Sequence, residues 1–244
     1  MTLSSSKDIP VRDRLILALD TKSADEAIAL VDRLGDSVQF YKIGLSLVFD
    51  RGFWKLFDHV RNKGKKVFAD IKFFDVPETV KAAVGQLVGS GASFATVHAQ
   101  EGMIQAALEA RGSADAMKIL GVTVLTSLDQ GDLKDLGFEV DVEKVVLSRA
   151  KRILELGCDG VISSGLEVPE LRKHFDDQLL IVVPGIRPVE NREKPTDDQK
   201  RTVDVEEAFT RGADYIVVGR PIRKAPDPAK AAEDIQRRIA TLFG

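Results

Sequence analysis

The feature that most constrains this chain is a set of eight short runs rich in Val, Ile and Leu, spread over its whole length. They are Arg14–Asp20, Val38–Gly44, Lys66–Phe73, Phe94–Ala99, Lys118–Thr126, Gly160–Gly165, Leu179–Ile186 and Tyr215–Arg220. Runs of this kind are what parallel strands buried on both faces require. The stretches between them read as helices. Ser23 with Glu26 has the spacing of a capping box, Ala27, Leu30, Val31 and Leu34 follow at helical intervals, and Gly35 stands where the helix should stop. Pro77 suits a first helical turn, with Val80, Ala83, Val84 and Leu87 forming one apolar stripe behind it. Val142, Val145, Val146, Ile153 and Leu154 make another stripe, and the tail after Pro228 reads as a last helix. Strand–helix alternation repeated eight times predicts an α/β fold, a single (β/α)8 barrel, with a doubly wound open sheet as the structural alternative.

The length of 244 residues suits one such barrel spanning 1–244, preceded by a polar N-terminal extension over residues 1–12. With 44% hydrophobic and 30% charged residues, the chain has ample apolar material for a core. A net charge of −3 gives no general attraction to nucleic acid or to an anionic membrane, so an anionic substrate has to be held by a local cluster of positive groups. Cys158 is the sole cysteine, which rules out an internal disulfide and a Cys-rich metal site. Met1 to Pro10 carry no apolar signal core, and no apolar run approaches the length of a membrane span. A cytoplasmic location is the expectation.

The candidate chemistry lies at the ends of the predicted strands. In FADIKFFD, Asp70 and Lys72 are two residues apart and therefore project from the same face of the third strand, while Ala69, Ile71 and Phe73 face the helices. Ionised side chains pointing into a barrel need partners, and charges at the C-terminal end of a barrel strand usually belong to catalysis. Asp75 follows closely, Asp20 ends the first run and Lys42 stands in the second, so four strand-end charges converge with Asp20 on one mouth. The other reading of this pattern is an ion-pair ladder at the rim. The eighth run closes in Gly219 and Arg220, and the seventh leads to Arg187. Glycine backbone lets N–H groups approach an oxyanion and arginine forks onto phosphate, and phosphate sites in such barrels often lie after strands seven and eight. Taken singly, a turn glycine and a solvated arginine explain these positions equally well. Thr126 offers a hydroxyl at the end of the fifth run, for a substrate carbonyl or for capping the next segment. Val189–Arg201 is long and charged, either a solvated loop or a lid; residues 188–201 are the expected closing loop. His59, His98 and His174 are scattered and His98 reads as a rim or core histidine. No metal-ligand spacing, P-loop or serine nucleophile elbow is present, so no metal and no cofactor are expected.

Taken in order, LALD through Asp20, YKIG at Tyr41–Gly44, DIKFFDVPETV from Asp70 to Val80, LTSL around Thr126, VVPGIRP up to Arg187 and VVGRPI around Arg220 resemble the orotidine 5′-phosphate decarboxylase family over nearly the whole chain, in its stand-alone compact form. The resemblance implies decarboxylation of orotidine 5′-phosphate to UMP, the last step of de novo UMP synthesis. It implies that Asp20 and Lys42 contact the ribose and the charged network, that Lys72 protonates C6 of the pyrimidine and that Asp70 sits against the departing carboxylate. Thr126 should contact the base, while Arg187, Gln199, Gly219 and Arg220 should hold base and phosphate. Asp75 and Thr79 should reach a neighbouring subunit's site, which implies a homodimer with shared active sites. A metal-dependent sugar-phosphate decarboxylase or aldolase of the same superfamily is the nearest rival, although Lys42 stands where that chemistry needs an acidic ligand on the second strand. A non-catalytic phosphate-binding barrel is the other.

Overall fold

The computed structural model describes residues 5–112, 117–139, 141–187 and 202–244. All eight runs form strands: β1 (Leu15–Ala18), β2 (Phe40–Gly44), β3 (Lys66–Phe73), β4 (Phe94–His98), β5 (Lys118–Val122), β6 (Gly160–Ile162), β7 (Leu180–Val183) and β8 (Tyr215–Val218). They close into a barrel in sequence order, every neighbouring pair parallel. The open-sheet alternative is thereby excluded. Helices α1 (Ala24–Leu34), α2 (Leu45–Val48) and α3 (Phe53–Asn62), α4 (Pro77–Ser90), α5 (Glu101–Arg111), α6 (Gln130–Asp135) and α7 (Val142–Glu155), α8 (Val168–Phe175) and α9 (Val205–Thr210) fill the connections. After β8 come α10 (Arg220–Arg223) and α11 (Pro228–Phe243). Among the described residues no helix is long and apolar enough to cross a membrane.

Local chemistry sets the helix starts. The Ser23 side chain accepts the Glu26 backbone N–H at 3.2 Å, half of the expected capping box. The reciprocal half is displaced by one residue, because the Glu26 carboxylate accepts the N–H of Lys22 rather than that of Ser23. Pro77 opens α4 as its spacing predicts, since a first-turn residue needs no N–H donor.

Two apolar layers result. The larger lies between barrel and helices and contains the outward-facing strand residues, among them Leu15, Tyr41, Ala69 and Val97. The smaller fills the barrel itself with Ile16, Phe40, Phe68, Phe94, Leu120, Val182, Tyr215 and Val217. Its aromatic rings meet edge-on or tilted, Phe40 to Phe94 at 4.9 Å and Phe94 to Tyr215 at 5.1 Å, as ring quadrupoles prefer. These rings form a solid floor across the lower barrel. Below it the N-terminal segment is docked, with Ile9 against the inner layer and the Ser5 hydroxyl donating to Asp214 at 2.5 Å. Arg14 donates to the Asp214 carbonyl and Arg172 to its carboxylate, a buried network at the stability face of the barrel.

Several strands are shorter than the apolar runs that contain them. The fifth run leaves the ladder after Val122 and the seventh after Val183. Pro184 has no N–H to continue the β7 ladder, and beyond it Ile186 makes only an isolated bridge to Val203. The released residues turn inward over the mouth and become walls of a cavity.

Candidate active site

The cavity above the aromatic floor has a volume of about 410 Å³, within the range of small-molecule sites. It is lined by residues from the carboxyl ends of the strands, Asp20, Lys42, Asp70, Lys72, Thr126, Arg187, Gly219 and Arg220 among them. Its remaining wall is largely apolar, with Ala18, Phe68, Val122, Leu125, Ile162 and Val217.

Asp70 is the hub of the charged side. It is 7% exposed and receives the Lys72 ammonium on both carboxylate oxygens, at 2.8 Å and 2.9 Å. The Lys42 ammonium lies 3.1 Å from the second of these oxygens and 3.5 Å from Asp20 Oδ1. The two-residue alternation of β3 brings Asp70 and Lys72 to one face, as the sequence predicts, and the β2–β3 register sets Lys42 beside them. Gly44 leaves them room, because an added Cβ there would sit 3.2 Å from the Lys42 ammonium, which would have to give by a few tenths of an ångström. Burial opposes ionisation of Asp70, but Lys42 and Lys72, by charge and by hydrogen bonds, bring its pKa down to about 2. Burial likewise opposes the charged form of Lys42, and Asp70 and Asp20 more than offset it, so its pKa is raised. Carboxylate and ammonium are thus each held in the ionised form.

The sequence reading had no place for Thr96. Its hydroxyl, fully buried on β4, donates to Asp70 Oδ1 at 3.0 Å and accepts the Lys72 backbone N–H at 2.9 Å. The available signal was parity: in FATVH, Phe94 and Thr96 alternate inward, and a lone hydroxyl on the inward face of a barrel strand needs a partner. Ser127, beside Thr126, also lines the cavity and was not singled out. His98 ends β4 half-buried, edge-on to Phe74 at 5.0 Å. Burial, with Arg149 and Lys72 nearby, lowers its pKa and keeps the imidazole neutral, in keeping with a rim histidine.

Asp75 does not join Lys72 within this chain. β3 ends at Phe73, the chain turns outward, and the exposed Asp75 carboxylate accepts the N–H of Val76 at 2.7 Å. Thr79, in the first turns of α4, is exposed as well. On the opposite side of the mouth, Arg187 follows β7, while Gly219 and Arg220 follow β8. Gln199 and the expected closing loop, 188–201, lie outside the described residues. Among the described residues no group of three His, Cys, Asp or Glu side chains stands together as a metal site.

An eight-stranded barrel with an ion-paired lysine–carboxylate array at its carboxyl mouth, and arginines across from it, defines a (β/α)8-barrel enzyme that handles an anionic small molecule. Residues 13–235 match the orotidine 5′-phosphate decarboxylase / HUMPS family, and the chain belongs to that family. It is 59% identical to the orotidine 5′-phosphate decarboxylase of Methylococcus capsulatus, over 98% of this chain and 97% of that protein. The Nitrobacter winogradskyi orotidine 5′-phosphate decarboxylase is 47% identical over 98% of each. The crystal structure of orotidine 5′-phosphate decarboxylase from Lactobacillus acidophilus superposes with a TM-score of 0.80 at 34% identity, covering 93% of this chain and 99% of the other.

Proposed function

We propose that this enzyme decarboxylates orotidine 5′-phosphate to UMP, with Lys72 as the proton donor to C6. The observation that carries this reading is the Lys72 ammonium seated on Asp70 inside the cavity, at 2.8 Å and 2.9 Å. Loss of carbon dioxide leaves an electron pair in the plane of the ring at C6, with no simple route into a carbonyl. A fixed ammonium stabilises that developing charge and then supplies the proton, leaving a neutral amine that solvent reprotonates. Asp70, ionised and backed by Lys42, holds the ammonium in place before reaction. It also faces the substrate carboxylate. Two like charges about 4 Å apart repel by roughly 4 kcal/mol at an effective dielectric near 20, which is small beside a decarboxylation barrier. Stabilisation of the transition state therefore takes the larger share. Arg187 and Arg220 receive the phosphate across the cavity with the Gly219 backbone, and Thr126 meets the base.

The family also includes metal-assisted chemistry on sugar phosphates, and Lys42 argues against it here. Its ammonium, 3.1 Å from Asp70, takes the ground that a divalent cation would need. Asp75 and Thr79 act in the site of a second copy of the chain. Support comes from their exposure and from the exposed apolar side chains nearby: Phe74 is 70% exposed and Val76 63%, with Phe49 at 87% just after α2, which packs against β3. The deciding assay follows the ultraviolet absorbance of orotidine 5′-phosphate with purified protein in excess chelator. Turnover is expected to persist in chelator and to vanish in Lys72→Ala, while that variant still binds UMP. Near-normal turnover in Lys72→Ala would refute the donor role.

A further inference from the structure

We infer that Thr96 is a positioning residue for the decarboxylation: one uncharged hydroxyl fixes both the Asp70 carboxylate and the backbone that carries Lys72. The inference rests on the reading of Lys72 as proton donor beside Asp70.

The geometry begins in the β3–β4 ladder. Ala69 pairs with Ala95 and Phe73 pairs with Val97, so Asp70, Ile71 and Lys72 stand opposite the single residue Thr96. A bulge of this kind leaves strand N–H groups with no ladder carbonyl to reach. Lys72 also has a φ of 55°, in the left-handed region that residues with a Cβ avoid. Such a conformation persists only where neighbouring contacts impose it. The contact here is the Lys72 N–H to Thr96 Oγ1 hydrogen bond of 2.9 Å. The lysine that must meet the ring is thus launched from a strained residue, and the bond that holds that residue comes from a side chain.

The same oxygen donates its only proton to Asp70 Oδ1 at 3.0 Å. Asp70 has two further partners, Lys72 and Lys42, and both are long flexible ammonium chains. When Lys72 gives up its proton, its charge attraction to Asp70 disappears within the catalytic step. Thr96 keeps its bond through that change, because it is neutral and its short β-branched side chain has one stiff torsion. With the hydroxyl present, the carboxylate keeps its plane while the lysine changes charge. Without it, both the carboxylate and the Lys72 backbone are free to shift, and small displacements of reacting groups cost large factors in rate.

The test compares hydroxyl-bearing and hydroxyl-free side chains of matched shape. Thr96→Val keeps the branch and removes the hydroxyl; Thr96→Ala and Thr96→Ser form a second pair that differ only in the hydroxyl. For each, kcat and KM for orotidine 5′-phosphate, affinity for UMP and the thermal unfolding midpoint are measured beside Lys72→Ala. The expected result is a kcat loss on the order of 10²-fold in Thr96→Val and Thr96→Ala. KM and UMP affinity should stay within about threefold, and Thr96→Ser should recover kcat to within about tenfold of wild type. If Thr96→Val does not fold, the Ala–Ser contrast carries the same decision. Equal kcat values in the hydroxyl-bearing and hydroxyl-free members of a folded pair, with Lys72→Ala inactive, would overturn the positioning role alone. Near-normal turnover in Lys72→Ala would overturn the donor reading and this inference with it.

Discussion

Asp70 gathers two ammonium groups and one hydroxyl onto a single buried carboxylate, and that density of partners has a measurable pH signature. Its pKa in the folded chain is about 2, below the ordinary value of 3.8. A carboxylate depressed on folding stabilises the native state above its unfolded pKa, near 3.9, and loses that contribution as pH falls toward the folded value. Lys42 shifts upward, so its contribution is intact below about pH 10 and is lost only as pH rises through its folded value. The difference in unfolding free energy between wild type and Asp70→Asn is therefore expected to be level from about pH 5 to 9 and to narrow below about pH 4. Denaturant unfolding at a series of pH values checks this; a difference that widens on acidification would contradict the ionised assignment. Strand parity alone was enough to pair Asp70 with Lys72, because alternation is a local property of the chain. For Thr96 the same alternation marks an inward hydroxyl in need of a partner, but not which partner it finds. Its role depends on how β3 slips against β4, a register that no spacing within either strand encodes. Asp75 shows the converse: near in sequence to Lys72, it is carried away where the strand ends and the chain turns.

The strands themselves are the most legible level, since β-branched runs between turn signals have few alternatives in a chain of this length. Their C-terminal bounds are less so. Val124, Leu125 and Pro184 continue the apolar pattern after hydrogen bonding to the neighbouring strand has stopped, because a cavity wall and a strand interior demand the same kind of side chain. Hydrophobicity reports burial, not ladder membership. One strand residue bears on the barrel's construction. At Gly160 on β6 an added Cβ would lie 2.4 Å from the Leu180 carbonyl oxygen of β7, a backbone atom that cannot swing aside. Gly160→Ala is expected to destabilise the fold by about 1–3 kcal/mol, since overpacking here must push two ladders apart. Differential scanning calorimetry should show an unfolding midpoint several degrees lower, while KM of the folded fraction stays near wild type, because Gly160 does not line the cavity. An unchanged midpoint would mean that the β6–β7 contact relaxes freely.

At the scale of the whole molecule, the proposed exchange of Asp75 and Thr79 between two copies makes a prediction that no single chain can meet. Lys72→Ala and Asp75→Asn should each be inactive alone. Unfolded together and refolded, half of the dimers should be hybrids, and each hybrid would have one site carrying both changes and one carrying neither. About a quarter of wild-type turnover should return on mixing if the site is built from two chains, and none if Asp75 serves its own chain. The sequence offered no signal for this exchange beyond family likeness, because an exposed Phe74 or Val76 acquires meaning only once the turn after β3 is seen to face outward. The interlocked rings of Phe40, Phe68, Phe94 and Tyr215 have a separate consequence. They make the reaction chamber a blind well. Nucleotide enters by the rim, and both the released gas and the finished product must leave by that same doorway. On the proposed mechanism, protonation at C6 therefore falls to a group already standing at the lip, and it has to outpace recapture of the carbon dioxide still confined beside it.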